Sequence, residues 1–239
     1  MSQRLNEYGQ PIGFPVEGWS ERPAPPATPM VGRWCRVEKL DAERDAAALW
    51  EAYAEAPDGR DWTYLAVGPF ADFAGYAAHA RRIAASADPM HHVIVDLVSG
   101  KPVGTAALMR IDRANGVIEV GWVTYSPRLQ RTPAGTEAMY LMMRRVFDEL
   151  GYRRYEWKCD ALNAPSRRAA ERYGFTFEGV FRQAVVTKGR NRDSAWYSIV
   201  DREWPPIRAA FEAWLSPDNF DAEGRQRRSL ASFRENPIR

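Results

Sequence analysis

The sequence predicts an α/β protein, with a central, twisted, mostly antiparallel sheet of six to seven strands and helices on both faces. Three observations carry this. The stretch VIEVGWVTYSPRLQRTPAGTEAMYLMMRRVFDEL, Val117 to Leu150, passes from a β-like run through a short loop into an amphipathic helix whose first turn is rich in small residues. Upstream, HHVIVDLV and Val103 to Asp112 are joined by the turn-rich SGKP and lead through RANG into Val117, so three consecutive strands form a meander. Downstream, YEWKCDALNAPSRRAAERYGFTFEGVFR reads as a strand, a polar break at Asn163, a short helix and an aromatic strand. Helices interleaved with strands in this order cover both faces of a mixed sheet.

Taken in chain order, residues 1–29 form an extended N-terminal arm. Asn6 to Pro29 is rich in Pro and Gly, which disfavours helix, and Tyr8, Phe14 and Trp19 are placed to dock it. RWCRVEKL, Arg33 to Leu40, alternates well enough for a first strand, and Asp41 caps a helix reaching about Ala56, with Ala48, Leu49, Ala52 and Tyr53 at helical spacing. The loop PDGRDWTYLAVG follows, then a second helix over Phe70 to Ser86. After the meander and the long helix come strand, helix, strand and strand, with GRNR as the last turn. The main domain is expected over 30–204. Beyond it, PPIRAAFEAWL puts Ile207, Phe211, Trp214 and Leu215 on one face of a docking helix. The tail from Asp221, polar and Arg-rich, is expected to be partly disordered or to contact a partner.

Composition bounds the function classes. With 239 residues and 45% hydrophobic content the chain can bury a full core, and a net charge of +2 gives no global argument for nucleic acid. Cys35 and Cys159 are too few for a disulfide framework, MSQRLNEYGQ lacks an apolar signal core, and no apolar run approaches membrane-spanning length. A cytoplasmic protein without membrane contact is the expectation. His79, His91 and His92 lack metal-ligand spacing, so no metal is predicted.

Several residues carry chemistry by their placement. The first turn of the helix after Thr132 has N–H groups without intrahelical partners, which with the helix dipole favour an anion. Arg131 reads either as a charge-assisted phosphate contact or as a solvated arginine. Glu137 complements the dipole and is expected to be structural, while Ala138, Leu141, Met142, Val146 and Leu150 make the buried stripe. Glu119, inside the apolar run Val117, Ile118, Val120, reads either as a general base or as a strand glutamate, solvated or paired with an arginine such as Arg110. Gly121 marks a bulge, a close backbone approach or a packing glycine. Asn163 is an N-cap. Lys188, Arg190 and Arg192 are either a solvated cationic turn or an attraction for an acidic acceptor.

The IEVGW strand, the QRTPAG loop running into TEAM, the NAPS turn and RYGFTFEGVFR together resemble the GNAT superfamily of acetyl-CoA-dependent N-acetyltransferases. Within it, the chain resembles the branch of the ribosomal-protein N-terminal acetyltransferases. The matching segments and flanking strands cover roughly Arg33 to Pro205. The loop fits Gln/Arg-x-x-Gly-x-Gly/Ala at its first and last positions, Gln130 and Gly135, and carries Pro133 where the middle glycine stands.

The resemblance implies acetyl transfer from acetyl-CoA to a primary amine, of a protein N-terminus or a small molecule, by direct attack in a ternary complex. It implies that Gln130, Arg131, Thr132, Ala134, Gly135 and Thr136 hold the pyrophosphate. Backbone groups of Trp122, Val123 and Thr124 then hold the pantetheine and the thioester carbonyl, Asn163 and Ser166 contact the pantetheine, and Arg168, with Arg167 and Arg172, meets the 3′-phosphate. Glu119 is the base. Ser166, a water or Tyr173 protonates the sulfur, or the thiolate leaves unassisted, because the family's usual tyrosine position is Ala170. Trp62 and Tyr64 lie over the acceptor. A homodimer is compatible with the aromatic arm. The departures at Pro133 and Ala170 also admit a coenzyme A-binding or protein-interaction module on a degenerate scaffold.

Overall fold

The computed structural model describes residues 4–235. An eight-stranded sheet is built from β3 (Met30–Val31), β4 (Cys35–Lys39), β5 (Met90–Asp96), β6 (Pro102–Asp112), β7 (Val117–Tyr125), β8 (Arg154–Asp160), β9 (Thr176–Thr187) and β10 (Arg190–Val200). Its order is β3-β4-β5-β6-β7-β8-β10-β9, antiparallel except between β7 and β8. The strand beyond the six or seven expected is β3, a two-residue edge too short to leave a periodicity in the sequence. A separate exposed hairpin, β1 (Arg4–Leu5) with β2 (Pro11–Ile12), starts the described chain.

Helices α1 (Ala42–Ala54) and α2 (Phe73–Ala84) cover one face, with Leu49, Tyr53, Tyr76 and Ala80 packed on Val93 and Val95. Asp41 caps α1 as expected, accepting from the N–H groups of Glu43 and Arg44. Helices α3 (Pro133–Arg144) and α5 (Trp204–Leu215) cover the other face, where Tyr140 stacks on Phe211 with ring centroids 5.7 Å apart. Each fully buried side chain of this size contributes about 1.5–3 kcal/mol through lost apolar exposure. The short helix α4 (Ala164–Tyr173) begins at Asn163, which accepts from Ser166 N–H, and ends at Gly174 in the left-handed region, φ +98°.

The arm from Trp19 onward and the segment up to Glu235 are docked on the sheet domain. Trp19 Nε1 donates to the Ala114 carbonyl at 2.9 Å, and the buried Arg145 guanidinium donates to the carbonyls of Thr28 and Pro29. Tyr8 and Phe14 stay exposed. The tail departs from expectation: α6 (Leu230–Glu235) sends Leu230 and Phe233 into the main core, at 0% and 5% exposure. Asn219 holds the turn before it, donating to the Trp214 and Arg228 carbonyls.

The feature that positions the site is a wedge between the two parallel strands. Pairing of β7 with β8 runs only from Val117 opposite Arg154 to Val120 opposite Trp157. Beyond that, β7 stays with β6 as far as Tyr125, and β8 stays with β10 as far as Asp160. A bulge starts the divergence. Ala107 faces Gly121 and Thr105 faces Thr124, so Trp122 and Val123 share the space opposite Ala106, and Trp122 takes a positive φ of +50°. Such an extra residue bends its strand and increases the local twist.

Candidate active site

A cavity of about 570 Å³ opens at the wedge. Glu119 lies on its floor with a 4% exposed side chain. Arg110 Nη1 approaches its Oε2 at 2.6 Å and Lys158 Nζ at 2.8 Å. Glu119 is therefore buried and paired, and the pairing with Arg110 is one of the alternatives its sequence setting left open. Both cations contact Oε2. Oε1 makes no ion pair or hydrogen bond among the described residues, and Gly121 beside it makes room for Met109, whose Sδ a Cβ there would overlap.

Lys158 extends the pairing across the sheet. Its ammonium also meets Glu156 Oε2 at 2.7 Å and sits 3.8 Å from the centre of the Trp196 ring. Arg154 continues the row, reaching Glu156 at 2.7 Å and Glu178 at 2.8 Å. Alternating charges on β6, β7, β8 and β9 thus neutralise one another where single charges would be costly to bury.

Trp122 and Val123 line the same cavity. Thr124 does not. Its hydroxyl donates to the Trp122 carbonyl and its own carbonyl accepts from Tyr53. From α4, Asn163 and Ser166 reach the wedge, where Ser166 Oγ accepts from Trp157 Nε1 at 3.0 Å and its hydroxyl hydrogen-bonds the Cys159 thiol. Cys159 is buried beside them, and its thiol is pushed up from the ordinary range, chiefly by burial.

Tyr173 is not brought to Glu119. It lies seven residues beyond Ser166 on α4, about 10 Å along the axis, and lines a second cavity with its ring stacked on Phe211. Burial raises its phenol above the ordinary range. The sequence placed Tyr173 on the correct helix but could not show that its end of α4 faces away from the wedge.

The second cavity, of about 580 Å³, lies at the start of α3. Arg131, Thr132, Pro133, Gly135 and Thr136 form one wall. Thr132 caps the helix, its hydroxyl accepting from Gly135 N–H at 3.1 Å, and Pro133 occupies the first turn, where its missing N–H breaks no intrahelical bond. Gly135 is required by packing: a Cβ would stand 2.7 Å from the Leu129 carbonyl. Arg172 Nη1 donates to the Thr136 hydroxyl at 3.1 Å, adding a cation to the positive end of the helix. The opposite wall comes from the C-terminal segment, with Trp214, Phe220 and Gln226. This cavity suits an anion.

Other expected residues serve the frame. Gln130 turns its amide to Asp61 and to the Tyr125 carbonyl, because the loop folds back on β7. Ala134 is buried against the core. Arg168 is exposed and outside both cavities, whereas Arg172, one turn further along the helix, lines the second. Glu137 is structural, its carboxylate accepting from the N–H groups of Arg33, Trp34 and Cys35 at 2.7, 2.7 and 2.9 Å. Tyr64 lines the wedge cavity and donates to the Leu162 carbonyl. Trp62 instead packs edge-on against Tyr53 and Phe70, since apolar partners surround it under α1 and α2.

Lys158 and Trp196 were missed as cavity residues, whereas Arg192 was named among the basic residues of the last turn. Only their even spacing with Asp160 and Ser194 on predicted strands hinted at a shared face. Among the described residues no helix is long and apolar enough to cross a membrane, and no group of three or more His, Cys, Asp or Glu could hold a metal ion.

Comparison with known proteins accords with this geometry. Residues 35–176, more than half of the chain, match the family described as "Acetyltransferase (GNAT) domain". The crystal structure of a GCN5-related N-acetyltransferase from Brucella melitensis is 47% identical, covering 92% of this chain and 100% of that one, with a TM-score of 0.90. A Bacillus subtilis protein named "Putative ribosomal N-acetyltransferase YdaF" is 27% identical over 183 residues, 70% of this chain and 90% of its own length. The microcin C7 self-immunity acetyltransferase MccE, solved with acetyl-CoA and AMP, shares the fold at a TM-score of 0.61 and 20% identity over 71% of this chain and 93% of that one. The parallel pair that parts beside a buried glutamate, the helix start that forms an anion cavity and the family match over both lead to one conclusion: this chain is an acyltransferase of the GNAT family.

Proposed function

We propose that the protein transfers an acetyl group from acetyl-CoA to the primary amine of an acceptor within a ternary complex. The observation that carries this reading is the wedge: a cavity holding Glu119 and Ser166 lies on one part of it, and a cationic helix start lies beyond. The groups present fit coenzyme A. The start of α3, Arg131 and Arg172 match its phosphates in charge, and Arg172 on Thr136 offsets the donor that Pro133 lacks. MccE, whose fold is shared, was solved with the same molecule.

When bound, acetyl-CoA supplies the activated acetyl group. Glu119 receives the amine at Oε1 and takes up its proton, directly or through a water, because Oε2 is held by Arg110 and Lys158. The backbone at the Trp122 bulge, released from regular pairing, positions the acyl carbonyl. Ser166 is placed to give a proton to the departing sulfur, its oxygen fixed by Trp157.

The test is amine-dependent release of free thiol from acetyl-CoA, with the acetylated amine identified by mass spectrometry. Release that rises with acceptor and yields an acetylated amine supports the reading. Acetyl-CoA binding without release for any amine would replace it with a coenzyme A-binding module.

A further inference from the structure

Among the described residues, one cation lining the wedge cavity has no ion-pair partner. Of the three basic residues in the last hairpin, Lys188 donates to the Trp62 carbonyl and Arg190 to the Thr63 carbonyl, strapping the loop between α1 and α2. Arg192 differs. Its side chain lines the cavity, makes no ion pair or hydrogen bond among the described residues, and has a buried Nε without a partner. The other charges are committed. Arg110 and Lys158 hold Glu119, Asp160 accepts from Leu162 N–H, and Asp61 accepts from Gln130. Two and four residues along β10, Ser194 and Trp196 line the same cavity, and Trp196 Nε1 is also buried without a partner. The even spacing makes a row of donors on one strand face. A buried donor left unsatisfied costs about 1–3 kcal/mol, more when charged, and a bound acceptor atom removes that cost.

The separation from Glu119 bounds what binds. Glu119 stands opposite Glu156, which stands opposite Ser198, six residues along β10 from Arg192. Six residues of strand and two strand spacings put their Cα atoms about 20 Å apart. With both side chains reaching inward, the charged ends are separated by about half that. An extended peptide advances about 3.3 Å per residue, so an amine at Glu119 and an anion at Arg192 match a chain N-terminus and a carboxylate on about the third residue. A small amino acid is too short. The phosphates of coenzyme A have their own cations, Arg131 and Arg172, at the other cavity.

Resting on the acetyltransferase reading above, we propose that the acceptor is the N-terminus of an acidic peptide, and that Arg192, with the donors of Ser194 and Trp196 beside it, binds a carboxylate within its first few residues. Phe181, stacked on Trp196 at 4.2 Å, supplies an apolar wall to the intervening side chains.

The experiment uses the full chain with acetyl-CoA and peptides of equal length that carry Glu or Gln at position 2, 3 or 4. Wild type is expected to favour Glu at position 3 by tenfold or more in kcat/KM. Arg192→Gln brings that ratio to about one, and Arg192→Lys restores part of it. As a second arm, O-phosphoethanolamine is compared with ethanolamine; a small phosphorylated amine acetylated faster than any peptide overturns the peptide assignment. Equal rates on Glu and Gln peptides, or a preference that survives Arg192→Gln, overturn the role of Arg192 while leaving acetyl transfer standing. Acetyl-CoA binding with no amine acetylated overturns the inference together with the proposed function.

Discussion

Glu119 Oε2 and Lys158 Nζ lie 2.8 Å apart, with side chains 4% and 7% exposed. The ammonium is shared with Glu156, which stands directly opposite Glu119 on the neighbouring parallel strand. Like charges at opposed positions repel, so Lys158 allows two carboxylates to be buried side by side. The candidate base is part of a four-residue assembly with Arg110, Lys158 and Glu156, and its integrity depends on a residue that takes no proton from the acceptor.

Removing Lys158 exposes that dependence. Lys158→Met leaves Glu119 with Arg110 alone, and breaking a buried pair from one side costs about 3–5 kcal/mol. Urea denaturation should show a loss of that size, with activity falling as the carboxylates rearrange. Adding Glu156→Gln to Lys158→Met removes the second buried charge and should recover part of the lost stability. A double variant no more stable than the single one would show that Lys158 acts through packing on Trp196.

Glu119→Gln keeps the shape of the side chain and removes the base. Loss of a positioned proton acceptor lowers turnover about 10²–10⁴-fold. Acetyl-CoA affinity, measured by calorimetry, should change little because its phosphates are matched to the other cavity. Turnover equal to wild type across pH would remove Glu119 from the mechanism.

Local pattern made some of this legible. Glu119 within VIEVGW, Asn163 before a short helix and Thr132-Pro133 at a helix start are each fixed by neighbours within a few residues, and the structure has them on the expected elements. What the sequence concealed depends on register between distant segments. Lys158 reaches Glu119 only because β7 and β8 pair in parallel at Val120 and Trp157. Leu230 and Phe233 are two apolar residues in a basic tail, too few to show a period, yet they complete the core beside α5. Trp62 and Tyr64 are nearly adjacent and looked equivalent; edge-to-face contacts hold one away from the cavity that the other lines.

The choice between Arg168 and Arg172 for phosphate contact is measurable. Arg172 donates to Thr136 at the start of α3, with its guanidinium 5.2 Å from the centre of the Trp214 ring. A charge-assisted hydrogen bond is worth about 1.5–3 kcal/mol, so Arg172→Gln should weaken acetyl-CoA binding about 10- to 100-fold. Arg168→Gln, an exposed change outside both cavities, should leave calorimetric affinity within about twofold. Equal losses for both would place a phosphate along the outer face of α4.

Acid sensitivity should come from the β5 histidines. Burial holds His91 and His92 at about 4, below the ordinary histidine range, and the Arg145 charge adds to the effect at His92. The folded state therefore favours the neutral rings. The stability they contribute is fully present above about pH 6.5, where the unfolded chain is also neutral, and is lost as pH falls toward about 4. For His92 alone the loss between pH 7.5 and pH 5 is on the order of 2 kcal/mol. Urea midpoints at pH 7.5, 6.5 and 5 should fall progressively. His92→Gln should be less stable at neutral pH, because a buried ring is replaced, but should show a shallower fall from pH 7.5 to pH 5. A parallel fall in both proteins would mean that other groups, chiefly the buried carboxylates around Lys158, set the acid limit.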